Sequence, residues 1–138
     1  MPKPPLPEGA ADLLRRPCPA VVAVLRPGGD PMTVATWYLL EDDGRVLVNM
    51  DDGRARLAWM RDDPRVALTA LEPENWGNHV SVRGRVVEWR ADPELADIDR
   101  LSTHYTGNAY PVRDRPRTSA LVEIEAWHGW QGGRPVEG

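Results

Sequence analysis

Phenylalanine is absent from the 138 residues, and Cys18 is the single cysteine. One thiol excludes an intramolecular disulfide and any zinc site built from the cysteines of one chain. Cys18 is expected as a free thiol in a core strand. Lysine is almost missing too, since Lys3 stands alone among 17 Lys and Arg. No apolar run approaches the roughly 20 residues needed to cross a bilayer, and the Pro-rich start lacks the apolar segment of a signal peptide. The expectation is a cytoplasmic protein with no membrane partner. A net charge of −4 without a basic block leaves no electrostatic footprint for nucleic acid. Gly-x-Gly-x-x-Gly after a strand, a Gly-Lys-Ser/Thr phosphate loop and His-Glu-x-x-His are all lacking, which removes the dinucleotide-fold, P-loop and zinc-protease readings. His79, His104 and His128 are widely separated in the sequence. The Asp pairs at 42/43, 51/52 and 62/63 each adjoin a Gly or Pro, so caps and turns explain them better than a cation site. No metal is expected.

What is present reads as one domain, residues 1–138, because this length supports a moderate core and no separate cofactor domain. Residues 1–7 are expected as a mobile lead-in. Glu8 to Arg15 predicts a short helix carrying Leu13 and Leu14, stopped by Pro17. Ala20 to Leu25 reads as a buried strand, and Pro27-Gly28-Gly29-Asp30-Pro31 as a turn into the next, 31 to 38. Asp42-Asp43-Gly44 turns the chain into a strand from Arg45 to Asn49. Three successive strands imply an antiparallel meander. Asp92-Pro93-Glu94 starts a helix with a capping Asp and a first-position proline. Leu95, Ile98 and Leu101 mark its inner face, and it ends near Tyr105 before Gly107. Ala120, Val122, Ile124 and Ala126 alternate with Ser119, Leu121, Glu123 and Glu125, which predicts a last strand from Thr118 to Trp127. Six or so antiparallel strands and two or three short helices make a mainly β barrel with helical connections.

The segment from Asp43 to Leu68 orders its chemistry as strand, short arginine-bearing helix and strand. Arg54 and Arg56 fall in the first turn of that helix, where unpaired N–H groups and the positive dipole end already favour an anion. Two guanidinium groups add planar paired donors suited to phosphate. A competing reading has Asp51 and Asp52 capping the helix while the arginines lie in solvent. Six tryptophans take the places phenylalanine would fill. Most are expected in the core or at a dimer interface, whereas Trp76, in the loop Glu74-Asn75-Trp76-Gly77-Asn78, is placed to cover a ring or a substrate.

Three pieces together resemble the split β-barrel flavoproteins, the pyridoxamine-phosphate-oxidase-like and deazaflavin-dependent reductases. Asp63-Pro64-Arg65-Val66-Ala67-Leu68 is similar to the family's strand opening, Pro31-Met32-Thr33-Val34-Ala35-Thr36-Trp37-Tyr38 to its second strand, and Val80 to Val87 to its Val-x-Val-x-Gly-x-Val strand. Counting back from Pro64 sets Arg56 on the family's phosphate-binding Lys and Arg54 on its Ser or Thr, while Ala55 stands where an Arg is often found.

The resemblance implies a homodimer with a cofactor in each of two interface grooves. The ring would lie along Thr33, Ala35, Thr36 and Trp37 and the strand end Val48, Asn49 and Met50, with its phosphate at Arg54 and Arg56 and Trp76 over the site. Coenzyme F-420 is favoured by the short chain and the Arg-x-Arg, with FMN as the alternative. Arg15, Arg16 and Arg61 are available for the polyanionic tail of F-420. The implied activity is hydride transfer to a small unsaturated or quinone-like substrate. A non-catalytic flavin, haem or tetrapyrrole carrier and a barrel without a ligand are the rival readings. No catalytic acid or base is implied; Tyr38, Tyr105 and Tyr110 are the possible proton donors, and loops 72–79 and 106–117 the expected pocket walls.

Overall fold

The computed structural model describes residues 1–138. Helix α1 (Glu8–Arg15) precedes β1 (Ala20–Leu25), β2 (Pro31–Thr36), β3 (Leu39–Leu40) and β4 (Val46–Asp51). Helix α2 (Ala55–Asp62) leads to β5 (Arg65–Leu71) and β6 (His79–Ala91), and α3 (Ala96–Thr106) to β7 (Arg117–Gln131) and β8 (Arg134–Pro135). The strands form one antiparallel sheet in the order β2-β1-β5-β6-β7-β4-β3, with β8 on β7.

Curling of this sheet makes a barrel with a dry interior. Val22 of β1, Val46 and Val48 of β4, Val66 and Leu68 of β5, Val82 of β6 and Val122 of β7 converge on a residual void of only about 10 Å³. Alternate residues of each strand supply this filling, as the pleat requires. The barrel is split because its edge strands, β2 and β3, are consecutive in the chain yet do not pair. The expected meander is therefore corrected. β2 spends its one paired edge on β1, and the other edge of β1 takes β5, more than 40 residues away (Ala20 opposite Ala70). Local alternation identifies strands but not their partners.

Strand β7 also exceeds its expected span of Thr118 to Trp127, and Ser119 and Leu121 are as fully buried as Ala120. The cause is α3, which covers the second face: Leu95, Ile98 and Leu101 close over Leu47 and Leu121 in a separate apolar cluster. The Asp92 carboxylate caps α3 as expected, accepting the N–H groups of Asp97 and Ile98 at 3.0 Å each. Pro93 lies ahead of the first turn, not in it, because the helix starts at Ala96 after Leu95. Gly107 ends the helix at φ +82°, a conformation suited to glycine.

Gly84 answers for the glycine of the Val-x-Val-x-Gly-x-Val pattern. A β-carbon there would stand 1.8 Å from the carbonyl oxygen of Glu123, where the β6–β7 register shifts. Residues 1–7, expected as a lead-in, lie against β7. The carbonyls of Pro2 and Lys3 accept the backbone and indole N–H groups of Trp127 at 3.0 and 3.3 Å, and Leu6 packs on the core. Cys18 is a buried free thiol, but it lies in the link between α1 and β1 and not in a strand. No helix is long and apolar enough to cross a membrane.

Candidate functional site

The split opens onto a cleft of two adjoining cavities, of about 730 and 620 Å³, which share Ala35, Arg56, Tyr110 and Arg117. Their chemistry differs. The larger is walled by Pro17, Pro19, Trp37, Ile98, Leu101 and Tyr105. The smaller holds Arg54, Arg56, Arg115 and Arg117 beside Asp51 and Gly53. An apolar chamber thus runs into a basic one, and β2, β4, α2, α3 and the loop before β7 each contribute a wall.

Aromatic contacts fix the apolar half. Trp37, leaving the end of β2, stacks on Tyr105 of α3 with ring centroids 5.4 Å apart and planes 13° from parallel, and Tyr110 meets it edge-on at 6.2 Å. The Tyr38 hydroxyl donates to the carbonyl of Arg16 at 3.3 Å, and the Tyr105 hydroxyl to that of Cys18 at 2.7 Å. Burial pushes both phenols far above their ordinary range. Two of the three phenols considered as proton donors are therefore structural, which leaves Tyr110 at the junction of the two halves.

The basic half is unbalanced. Arg115 pairs with Asp51, but no ion pair of the chain involves Arg54, Arg56 or Arg117. Burial, and then the like charges of Arg54 and Arg117, pull the Arg56 guanidinium below its usual value. An anion seated there relieves that repulsion. The capping alternative for Asp51 and Asp52 is not what the structure holds. Asp51 accepts the N–H of Gly53 at 2.7 Å, Asp52 accepts the Thr118 hydroxyl at 2.6 Å, and no side chain caps α2. The Gly53 N–H and then Arg115 hold the Asp51 carboxyl below the usual carboxylate range.

Of the residues expected in the site, Ala35, Thr36, Trp37, Asn49 and Arg56 line the apolar half, and Ala35, Met50, Arg54 and Arg56 the basic half. Thr33 lies exposed on β2, outside both linings. Val48 points into the barrel, because the pleat turns it away from its neighbour Asn49. Trp76 is 75% exposed and stands apart from the cleft of its own chain. Arg15, Arg16 and Arg61 are not gathered at the cleft: Arg15 pairs with Asp12, Arg16 with Glu72 and Glu74, and Arg61 lies over Trp89. Of the loops expected as walls, 106–117 contributes Tyr110, Val112, Arg115 and Arg117, while 72–79 contributes Pro73 alone.

The sequence marked the loop 106–117 as a wall but did not single out Arg115 and Arg117 within it. The signal was the alternation Arg113-Asp114-Arg115-Pro116-Arg117 at the entrance to β7. It becomes meaningful only once β7 pairs with β4, setting Arg117 opposite Asp51 and Ser119 opposite Asn49.

Comparison with known proteins agrees with this architecture. A solved F420 reductase superposes with a TM-score of 0.80 at 28% identity, over 88% of this chain and 98% of its own. A conserved hypothetical protein from Mycobacterium tuberculosis superposes at 0.70 with 20% identity, over 94% of this chain and 88% of that one. General stress protein 26 from Bacillus anthracis gives 0.68 with 11% identity, over 89% and 92%. These last two share the fold. No curated protein sequence matches the chain significantly. The family model described as pyridoxamine 5′-phosphate oxidase matches residues 6–131, and with its split barrel and its cleft the chain belongs to that family.

Proposed function

We propose that this chain is a flavin- or deazaflavin-dependent oxidoreductase that uses coenzyme F-420 in preference to FMN and transfers hydride to a small unsaturated or quinone-like organic substrate. The observation that carries the reading is the two-part cleft, in which an aromatic-walled chamber joins a pocket of arginines without carboxylate partners. A flat heteroaromatic ring bearing a phosphate fits that donor set. The similarity to an F420 reductase, 28% identical over nearly all of that chain, favours the deazaflavin over FMN.

When bound, the coenzyme supplies the hydride, so the protein's tasks are position and polarity. Arg54 and Arg56 bind the phosphate through paired charged N–H donors. Trp37, Tyr105, Ile98 and Leu101 exclude water from the reacting half. Tyr110 is the one phenol whose hydroxyl is not spent on a backbone carbonyl, and it is the side chain proposed to pass a proton to the substrate.

A homodimer belongs to the same proposal. The outward face of β2-β1-β5 is small and largely apolar, with Ala35, Val21 and Thr69 in one row and Thr33, Ala23 and Ala67 in the next. The outer edge of β2 pairs with no strand. A second copy laid there covers an open edge and, because Ala35 also lines the cleft, deepens it.

Loading the purified protein with F-420, reducing it enzymatically and adding a quinone tests the activity. Reoxidation of F-420 that depends on the protein supports the reading. Turnover with FMN alone moves the assignment to an FMN reductase, and tight binding without electron transfer to any acceptor moves it to a carrier.

A further inference from the structure

The orientation of Arg117 follows from a short chain of proton bookkeeping that begins in the barrel wall. Asn49 is buried, and its amide group has three partners. Its Nδ2 donates to Asp92 Oδ2 at 3.2 Å and to Ser119 Oγ at 3.0 Å, and its Oδ1 accepts from Arg117 Nε at 2.7 Å. Ser119 gives its own hydroxyl proton to Asp97 Oδ2 at 2.7 Å. With that proton committed, Ser119 accepts from Asn49, and the Asp92 carboxylate accepts as well. Only the NH2 end of the amide satisfies both, so Oδ1 is forced toward Arg117.

Arg117 is then held at one edge and along one face. Its Nε is spent on Asn49, and its guanidinium lies 4.8 Å from the centroid of the Tyr110 ring. The two terminal NH2 groups have no partner in the protein, and the side chain lines both halves of the cleft beside Arg56. Cations whose donors remain free suit an anion that arrives from outside.

We infer that Arg117 is a third anion-binding arginine, at the junction of the apolar and basic halves, and that Asn49 is the positioning residue that aims it. The inference rests on the cofactor reading for the identity of its ligand, but not for the existence of the seat. The bound group is the phosphate nearest the ring, where Arg117 and Arg56 converge.

The test compares FMN with riboflavin, which share a ring and differ by the phosphate, as probes of the full-length protein. Arg117→Gln is expected to weaken FMN relative to riboflavin by about tenfold or more, since the charged hydrogen bond to phosphate is lost with FMN alone while the contacts to Asn49 and Tyr110 are lost with both. Asn49→Ala is expected to do the same to a smaller degree, and the double variant to bind FMN no more weakly than Arg117→Gln alone. A general structural defect would weaken both flavins together. An unchanged FMN-to-riboflavin ratio in Arg117→Gln overturns the inference, and additive losses in the double variant overturn the positioning role of Asn49. Should Asn49→Ala fail to fold, the half-exposed Arg117→Gln decides. If no flavin or deazaflavin binds the native protein, the cofactor reading falls, and titration with inorganic pyrophosphate judges the seat separately: weaker binding in Arg117→Gln supports it, equal binding overturns it.

Discussion

Helices α2 and α3 both begin beside the cleft, and their beginnings are built in opposite ways. At α3 the Asp92 carboxylate accepts two N–H groups of the first turn, Asp97 pairs with Arg90 and Arg100, Arg100 pairs with Glu41, and Asp99 pairs with Arg113. At α2 no side chain caps the helix, and Arg54 and Arg56 face the cleft without a counter-ion. The first arrangement is closed and serves the fold. The second leaves donors and charge uncompensated, which is the environment the proposed anionic cofactor would complete. Unmet chemistry, more than the mere presence of arginine, marks the site.

The largest effect is expected from opening the closed end. Asp92→Ala removes the cap of α3 and a partner of Asn49, and it should lower stability by about 3 kcal/mol in urea denaturation, since the two N–H groups of the cap and the buried Asn49 amide lose their acceptor. A loss no greater than that of a surface substitution would dissolve the contrast between the helices. Arg56→Glu probes the open end: affinity for a phosphorylated cofactor should fall on the order of 100-fold, while the unfolding midpoint holds or rises as the like-charge contact with Arg54 and Arg117 disappears. Equal affinity would remove Arg56 from the site.

A third prediction uses pH. Burial raises the Asp97 carboxyl, but the Ser119 hydroxyl and the Arg90 and Arg100 guanidinium groups outweigh it and hold the group below its ordinary value. A depressed folded value contributes stability that is fully present above the unfolded pKa of about 3.9 and is lost as pH falls through the folded one. Asp97→Asn should therefore be less stable than the native chain at neutral pH and converge on it in acid below about pH 4. A gap that stays constant with pH would contradict the assignment. Arg54 is exposed at the rim, so Arg54→Ala should cost only about threefold in cofactor affinity. An effect as large as that of Arg56→Glu would make the rim, not the junction, the centre of the anion seat.

Legibility in the sequence divides along the same line. The bounds of α1 and β1 could be read directly, because Pro17, Pro27 and the apolar pattern between them are local signals. Arg54 and Arg56 at the start of a helix were legible for the same reason, as were Trp37 and Asn49 through the family resemblance. The pairing of β1 with β5 was not, since antiparallel partners are chosen by the curvature of the whole sheet. The full burial of Ser119 and Leu121 was missed because their outer cover, α3, is placed by tertiary packing. Arg117 was invisible for a related reason: its aim depends on Asn49, 68 residues earlier, and on Ser119, which accepts from Asn49 because its own proton goes to Asp97.

Equilibrium titration of the native protein with F-420 and with FMN, followed through the fluorescence of Trp37 and its neighbours, decides whether the cleft is a coenzyme site. The expected result is saturable binding of one coenzyme per chain, tighter for F-420, and weakened by added salt as expected for an arginine-held phosphate. Failure of both coenzymes to bind, or binding indifferent to the charge at position 56, would contradict it.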